Sequence, residues 1–184
     1  MDFTEQDTYR AAIHGDRDAF EMIIRAHSRT LFAIAYGILQ NREEAEDVVQ
    51  DGLVKAWKFR WRVRDPEKFP AWLRTIARHR AHDVFRKRRP PSPCGGVLDE
   101  SEALGFSNSE SDHEESERHT QVQSALAALP ELHRTALILR YFDGLDYRTI
   151  EETLGLSNGA LRGILGRAME KMRRRLRSRL ATLD

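Results

Sequence analysis

The sequence predicts an all-α protein made of two small helical domains joined by a flexible acidic linker. Apolar residues recur at helical spacing through the first ninety or so positions, a Pro, Gly, Ser, Asp and Glu segment interrupts them, and shorter helical stripes resume before a long basic C-terminal run. At 184 residues the chain has room for two bundles. Its 40% hydrophobic content supports packed cores, while 32% charged residues and a mean hydropathy of -0.60 place the remainder in water. The single cysteine, Cys94, excludes an internal disulfide and argues against a thiolate metal cage, which fits a reducing cytoplasm.

In the first domain, Phe20, Ile23, Ile24, His27, Leu31, Ile34, Ala35 and Ile38 form one apolar face of a helix from about Asp18 to Leu39. Asn41 reads as the N-cap of a second helix, with Glu43 and Glu44 in its first turn, where the helix dipole favours negative charge. Ala45, Val48, Val49, Leu53, Ala56 and Trp57 mark its buried stripe; Glu43, Glu46, Asp47, Gln50 and Asp51 form the opposite, acidic face, either a solvated surface or a dock for a basic partner. Between Lys58 and Phe69, aromatic residues alternate with cations before Pro66. Such alternation either closes the bundle through Trp57, Phe59 and Trp61, or holds single-stranded nucleic acid by stacking bases and tracking phosphates. A third helix runs from about Glu67 to Arg88, with Phe69, Trp72, Leu73, Ile76, Ala77 and Val84 inward and Arg74, Arg78, Arg80, Arg86, Lys87, Arg88 and Arg89 largely outward.

The linker spans 91–118 and carries Asp99, Glu100, Glu102, Glu110, Asp112, Glu114, Glu115 and Glu117, so it should avoid DNA and seek basic surfaces. Beyond it the second domain, 119–184, reads as four helices. Val122, Leu126 and Leu129 start the first, Thr135 to Tyr141 form a short apolar one, Tyr147 to Leu154 a third, and about Asn158 to Arg179 the last. From Asp146 to Arg162 the chain has the grammar of a helix-turn-helix. Ile150 and Leu154 face the core, Gly155 permits a positive φ, Ser157 caps the next helix, and Leu161 and Leu165 bury it. Asn158, Ala160, Arg162 and Gly163 would then face a major groove, with Arg162 and Arg167 able to reach base edges or phosphates. An ordinary helical hairpin shares much of this pattern.

The run Ala125-Leu126-Ala127-Ala128-Leu129-Pro130-Glu131, continued by Leu139-Arg140-Tyr141-Phe142-Asp143-Gly144-Leu145 and the helix-turn-helix, resembles region 4 of the extracytoplasmic-function (ECF) sigma factors. Independently, Asn41 to Asp51 with Ala56-Trp57 resembles region 2 of that family, and Phe69 to Arg78 with Asp83 resembles its promoter-melting helix. The resemblance implies a three-helix region 2 over 1–90 and a region 4 over 119–184, in a protein that lends RNA polymerase its promoter specificity. It also implies site roles. Glu43, Glu46, Asp47, Gln50 and Asp51 would dock on the clamp helices of the polymerase β′ subunit; Arg60, Trp61, Arg62, Arg64, Trp72, Arg78, His79 and Asp83 would melt and hold the -10 element; Ser157, Asn158, Ala160, Arg162, Gly163 and Arg167 would read the -35 element, with region 4 seated on the β flap.

Family pattern and sequence differ at His79, where asparagine is usual; at Glu151, where a small residue is usual; and at Ala160, Gly163, Ile164 and Gly166, which replace polar or cationic residues of the reading helix. The resemblance implies core RNA polymerase, promoter DNA and an anti-sigma factor as partners. The alternatives are a helix-turn-helix regulator, or a sigma-like interaction module, that does not itself initiate transcription. No enzyme is expected: His14, His27, His79, His82, His113, His119 and His133 lack ligand spacing, and no phosphate-cradling glycine loop or HExxH motif is present, so neither catalytic residue, metal nor cofactor is assigned. Met1 to Arg17 has no apolar signal core and Leu31 to Leu39 is too short to cross a bilayer, so a cytoplasmic protein without membrane insertion is expected.

Overall fold

The computed structural model describes residues 4–88 and 113–180. Most of the acidic segment read as a linker therefore lies outside the described residues, as do Cys94 and the last four positions. All regular structure among the described residues is helical: α1 (Glu5–Ile13), α2 (Arg17–Leu39), α3 (Arg42–Phe59), α4 (Phe69–Arg88), α5 (His113–Ala127), α6 (Glu131–Leu137), α7 (Tyr147–Leu154) and α8 (Asn158–Leu180). Helix α5 begins inside the segment read as linker, and a π-helical turn, Ile138–Phe142, continues α6.

Local chemistry sets the boundaries. The Asp16 carboxylate accepts from the Ala19 N–H at 2.9 Å and the Asn41 side chain from the Glu44 N–H at 3.0 Å, each satisfying a donor that has no partner inside its helix. Gln40, at φ 54°, stops α2 in the left-handed conformation. The three helices expected of the first domain are α2, α3 and α4, and α1 precedes them. It is short and polar, with only Tyr9 and Ala12 buried, so its apolar periodicity is too weak to stand out; its signal is a capping box between Thr4 and Asp7.

Phe69 is fully buried at the centre of the first domain, where the rings of Tyr9, Phe20 and Trp72 surround it at 6.0, 6.4 and 5.5 Å. Phe20 in turn meets Trp57 edge-on at 5.1 Å, which ties α3 to the same cluster. His27 sits beside it, with the Tyr9 hydroxyl 3.0 Å from its Nε2.

The two domains pack directly against each other, and their buried side chains form one continuous core. Helix α6 lies against α2, and the Arg134 guanidinium, only 5% exposed, bridges them. Its Nε donates to the Gly37 carbonyl at 2.8 Å, while Nη1 donates to Leu129 at 3.0 Å and Ala127 at 3.2 Å. Burial lowers its pKa to about 10, which still leaves the group cationic at neutral pH. Arg74 and Arg78, read from the sequence as largely outward, are corrected here: both turn toward α7. Arg78 donates to the Thr153 carbonyl at 2.9 Å, and the Arg74 side chain, 11% exposed, lies 3.7 Å from Glu152. Arg88, likewise read as outward, donates to the Leu39 carbonyl at 3.1 Å and to Glu44, and Arg89 lies outside the described residues. Periodicity along α4 assigns Arg74, Arg78 and Arg88 to water because a second packed face cannot be seen from one helix alone.

Burial and the neighbouring Arg74 charge push the His27 pKa below its ordinary 6.5, so the folded protein holds this imidazole neutral while the unfolded chain protonates it near pH 6.5. The unfolded state then binds more protons below that pH, and stability falls as pH drops. Urea unfolding midpoints at pH 7.5 and 5.5 should fall more steeply in the wild type than in His27→Gln, which keeps a partner for Tyr9 without titrating.

Candidate nucleic-acid and polymerase interface

Helix α3 buries Ala45, Val48, Val49, Gly52 and Ala56, and this register turns Glu43, Glu46, Asp47, Gln50 and Asp51 to solvent as a row. Glu46 is paired with Arg42 at 2.9 Å and Asp51 with Arg80 at 2.5 Å. Exposed pairs of this kind are worth little and exchange readily for another cation. The row is thus a solvent-facing acidic strip along one rigid helix.

At the C-terminal end of α3 the chain makes one 3₁₀ turn, Arg60–Arg62, and a second at Pro66–Lys68 before entering α4. The aromatic and cationic residues here divide into two groups. Trp57 belongs to the core, and Arg60 is committed to it: the guanidinium lies 4.1 Å over the Trp57 ring and donates to the Trp57 carbonyl at 2.7 Å. Trp61 is 64% exposed, and the Arg62 guanidinium stands 4.6 Å from the Phe59 ring centre and 5.4 Å from that of Trp61. Arg64 and His79 are exposed as well, whereas Trp72 is half-buried against Phe69. Asp83 is paired with Arg86, whose hydrogen bond holds its carboxyl below the usual range. The structure therefore brings Trp61 and Arg62 together as an open tip, while Arg60 and Arg78 are engaged within the protein.

The helix-turn-helix follows from α7 and α8. Asp146 caps α7 by accepting from the Thr149 N–H at 2.9 Å, and this bond lowers its pKa. Gly155 then takes φ 70°, a conformation that costs a side chain roughly 1 kcal/mol or more. Ser157 Oγ accepts from the Ala160 N–H at 3.4 Å at the start of α8. Ile150, Leu161 and Leu165 are buried, which fixes the angle between the two helices and leaves Asn158, Ala160, Arg162 and Arg167 exposed. Glu151, unusual in size for its position, is accommodated because its carboxylate turns outward and accepts from the Asn158 amide at 2.6 Å. At Gly163 a Cβ would lie 3.1 Å from Nη1 of the exposed Arg167, a side-chain end that can move aside, so nothing in the packing demands glycine there. Arg162 lies 5.8 Å over the Tyr147 ring.

The sequence pattern did not mark Arg134 or Gly37, which join the halves, and it placed Arg74 outward. A signal existed for Arg134, a cation just ahead of the apolar run Ala136 to Leu139. Among the described residues no cluster of three or more His, Cys, Asp or Glu side chains could hold a metal ion, and no helix is long and apolar enough to cross a membrane.

One helical chain thus carries an acidic strip, an open aromatic and cationic tip and a helix-turn-helix. The comparisons make the class specific. Residues 23–90 match Sigma-70 region 2 and residues 119–172 match Sigma-70, region 4. The chain belongs to the sigma-70 family, within its ECF group. Relatives include the probable RNA polymerase sigma factor RfaY of Xanthomonas campestris pv. campestris, 31% identical across 96% of this chain but only 47% of that protein. The RNA polymerase sigma-H factor of Pseudomonas aeruginosa is 29% identical across 90% of both chains, and the ECF sigma factor SigW of Bacillus subtilis is 28% identical across 89% of this chain and 91% of its own. Among solved structures, CnrH in complex with the cytosolic domain of CnrY is similar at TM-score 0.70 and 25% identity, covering 95% of this chain and 97% of that one. RpoE in complex with the anti-sigma factor NepR, from Bartonella quintana, gives TM-score 0.63 and 27% identity over 86% of this chain and 96% of that one.

The division of the aromatic segment is measurable. Arg60→Ala should lower the unfolding free energy by about 1 kcal/mol through lost stacking on Trp57, whereas Trp61→Ala should leave it unchanged; urea denaturation of the two variants beside the wild type reads both.

Proposed function

We propose that this chain is a sigma factor that binds core RNA polymerase and directs initiation at promoters recognised through a -10 and a -35 element. The observation that carries this reading is the presence, on one chain and in the family's order, of both the region 2 and region 4 matches with an exposed contact surface on each. The acidic row of α3, with Asp47 and Gln50 unencumbered and Asp51 exchangeable from Arg80, docks on the clamp helices of the β′ subunit. Trp61 and Arg62 supply a stacking face and a phosphate-tracking cation for the displaced strand, and Trp72, Arg78, His79 and Asp83 line the helix that follows. Helix α8 enters the -35 major groove, where Arg162 and Arg167 provide the cationic contacts and Ser157, Asn158, Ala160 and Gly163 the close surface.

Recognition is entirely non-covalent in this scheme, so no catalytic group and no cofactor is required of the chain. An anti-sigma factor is a fitting regulator, since the RpoE neighbour was solved bound to one. The site of action is the cytoplasm, where RNA polymerase works. With Gly163 and Gly166 in α8 and Ile164 turned into the core, the -35 contacts rest on two arginines and are more electrostatic than base-specific, and His79 gives the -10 helix an aromatic donor and acceptor.

Run-off transcription beside a polymerase pull-down separates the roles. Arg162→Ala and Arg167→Ala should each cut promoter-dependent transcription about 5- to 100-fold, the range of one lost base contact, with polymerase association intact. Asp47→Ala and Asp51→Ala should weaken the pull-down. Equal losses in both assays for all four variants would contradict the assignment.

A further inference from the structure

We propose that α1 and the turn after it brace the strand-holding tip: Gln6 and Gly15 grip the two ends of the segment 60–68, and Arg60 acts as a positioning residue rather than as a DNA contact. This inference deepens the sigma-factor reading and rests on it, because it states what keeps Trp61 and Arg62 in place.

The segment has little means of holding itself. It consists of the 3₁₀ turns Arg60–Arg62 and Pro66–Lys68 with 63–65 between them, and the first turn has no side-chain cap. Turns this short make few and poorly aligned hydrogen bonds, so the direction of an exposed ring carried on one of them is set by tertiary contacts. Within the segment Val63 is buried, and its N–H donates to the Arg60 carbonyl at 3.1 Å. Trp61, Arg62 and Arg64 face solvent.

Helix α1 packs against both turns. At the second, the Gln6 amide donates to the Glu67 carboxylate at 2.6 Å, and the Tyr9 ring lies 6.0 Å from that of Phe69, the residue that closes this turn. At the first, Gly15 approaches the Arg60 guanidinium so closely that a Cβ would stand 2.8 Å from Nη2. That guanidinium is already fixed on its other contacts, with Nη1 bonded to the Trp57 carbonyl and Cζ over the Trp57 ring. Gly15 also takes φ 101°, a left-handed conformation that glycine adopts without steric cost. The turn between α1 and α2 is thus shaped to receive Arg60. Gln6 and Gly15 both lie ahead of residue 23, where the region 2 match begins.

Neighbouring arginines then have opposite roles. Arg62 is exposed beside the Phe59 and Trp61 rings and is available to phosphate, whereas Arg60 is half-buried and committed to Trp57 and Gly15. Each phosphate neutralised on a single strand contributes about -0.7 to the slope of log affinity against log salt. Removing a contact residue changes that slope; removing a positioning residue changes affinity alone.

The test is anisotropy of a fluorescent single-stranded DNA, the non-template -10 strand of a promoter found by mapping transcription starts, titrated with holoenzyme over a series of salt concentrations. Arg62→Ala should lower affinity and reduce the slope by about 0.7, while Arg60→Ala should weaken binding about 2- to 10-fold with the slope unchanged. Gln6 and Glu67 are exposed, so their pair can be altered without disturbing the core. Gln6→Glu, which sets two carboxylates together, should weaken binding about 2- to 5-fold and speed hydrogen exchange of 60–68 in the free chain about threefold. Adding Glu67→Gln to Gln6→Glu should restore both. A slope reduced in Arg60→Ala as it is in Arg62→Ala, or exchange and affinity unmoved by Gln6→Glu, would overturn the brace. A wild-type holoenzyme that ignores the oligonucleotide would refute the sigma reading instead, while hydrogen exchange still decides whether α1 holds the segment.

Discussion

A single buried cation organises this molecule. Removing a guanidinium from water costs several kcal/mol unless its donors are satisfied, and Arg134 meets that demand only by drawing carbonyls from both halves of the chain to itself. Glycine at position 37 and the buried Thr135 follow from the same requirement, since the acceptor must approach closely enough to be reached. The orientation of α6 on α2 sets that of α7 on α4, and through α7 the direction of the reading helix. A structural element of region 4 thus depends on a backbone carbonyl of region 2.

The surfaces proposed to meet polymerase and DNA obey the opposite rule. The acidic row of α3, Trp61 with Arg62, and the N-terminal turn of α8 all stand on rigid helical elements but keep their polar ends in water. Each is supported from behind by apolar packing: Val48 and Ala56 under the row, the Phe20, Trp57 and Phe69 cluster under the tip, and Ile150 with Leu161 under the turn. Such an arrangement suits a protein whose work is holding other macromolecules in place, because affinity comes from preformed surfaces rather than from ordering loops on contact.

Much of this was legible in the sequence where local physics dominates. Asn41, Gly155 and Ser157 announced helix ends through cap and φ preferences that need no tertiary context. The α8 face was readable because Leu161 and Leu165 fix its register. The aromatic and cationic segment was ambiguous for a physical reason: alternation marks either core closure or stacking, and the chain uses both, with Trp57 inside and Trp61 outside. Arg74 and Arg78 were misplaced because periodicity along α4 reports one buried face, and the second is created by a helix about seventy residues away in sequence. Helix α1 was passed over because two buried side chains are too few to make a stripe.

The most direct test of the sigma-factor account is permanganate reactivity of promoter thymines in the presence of core polymerase. The account predicts reactive, unstacked thymines confined to the -10 element when chain and core are combined, and none with either component alone. Thymines that stay unreactive with the combined proteins, or that react with the chain by itself, would contradict it.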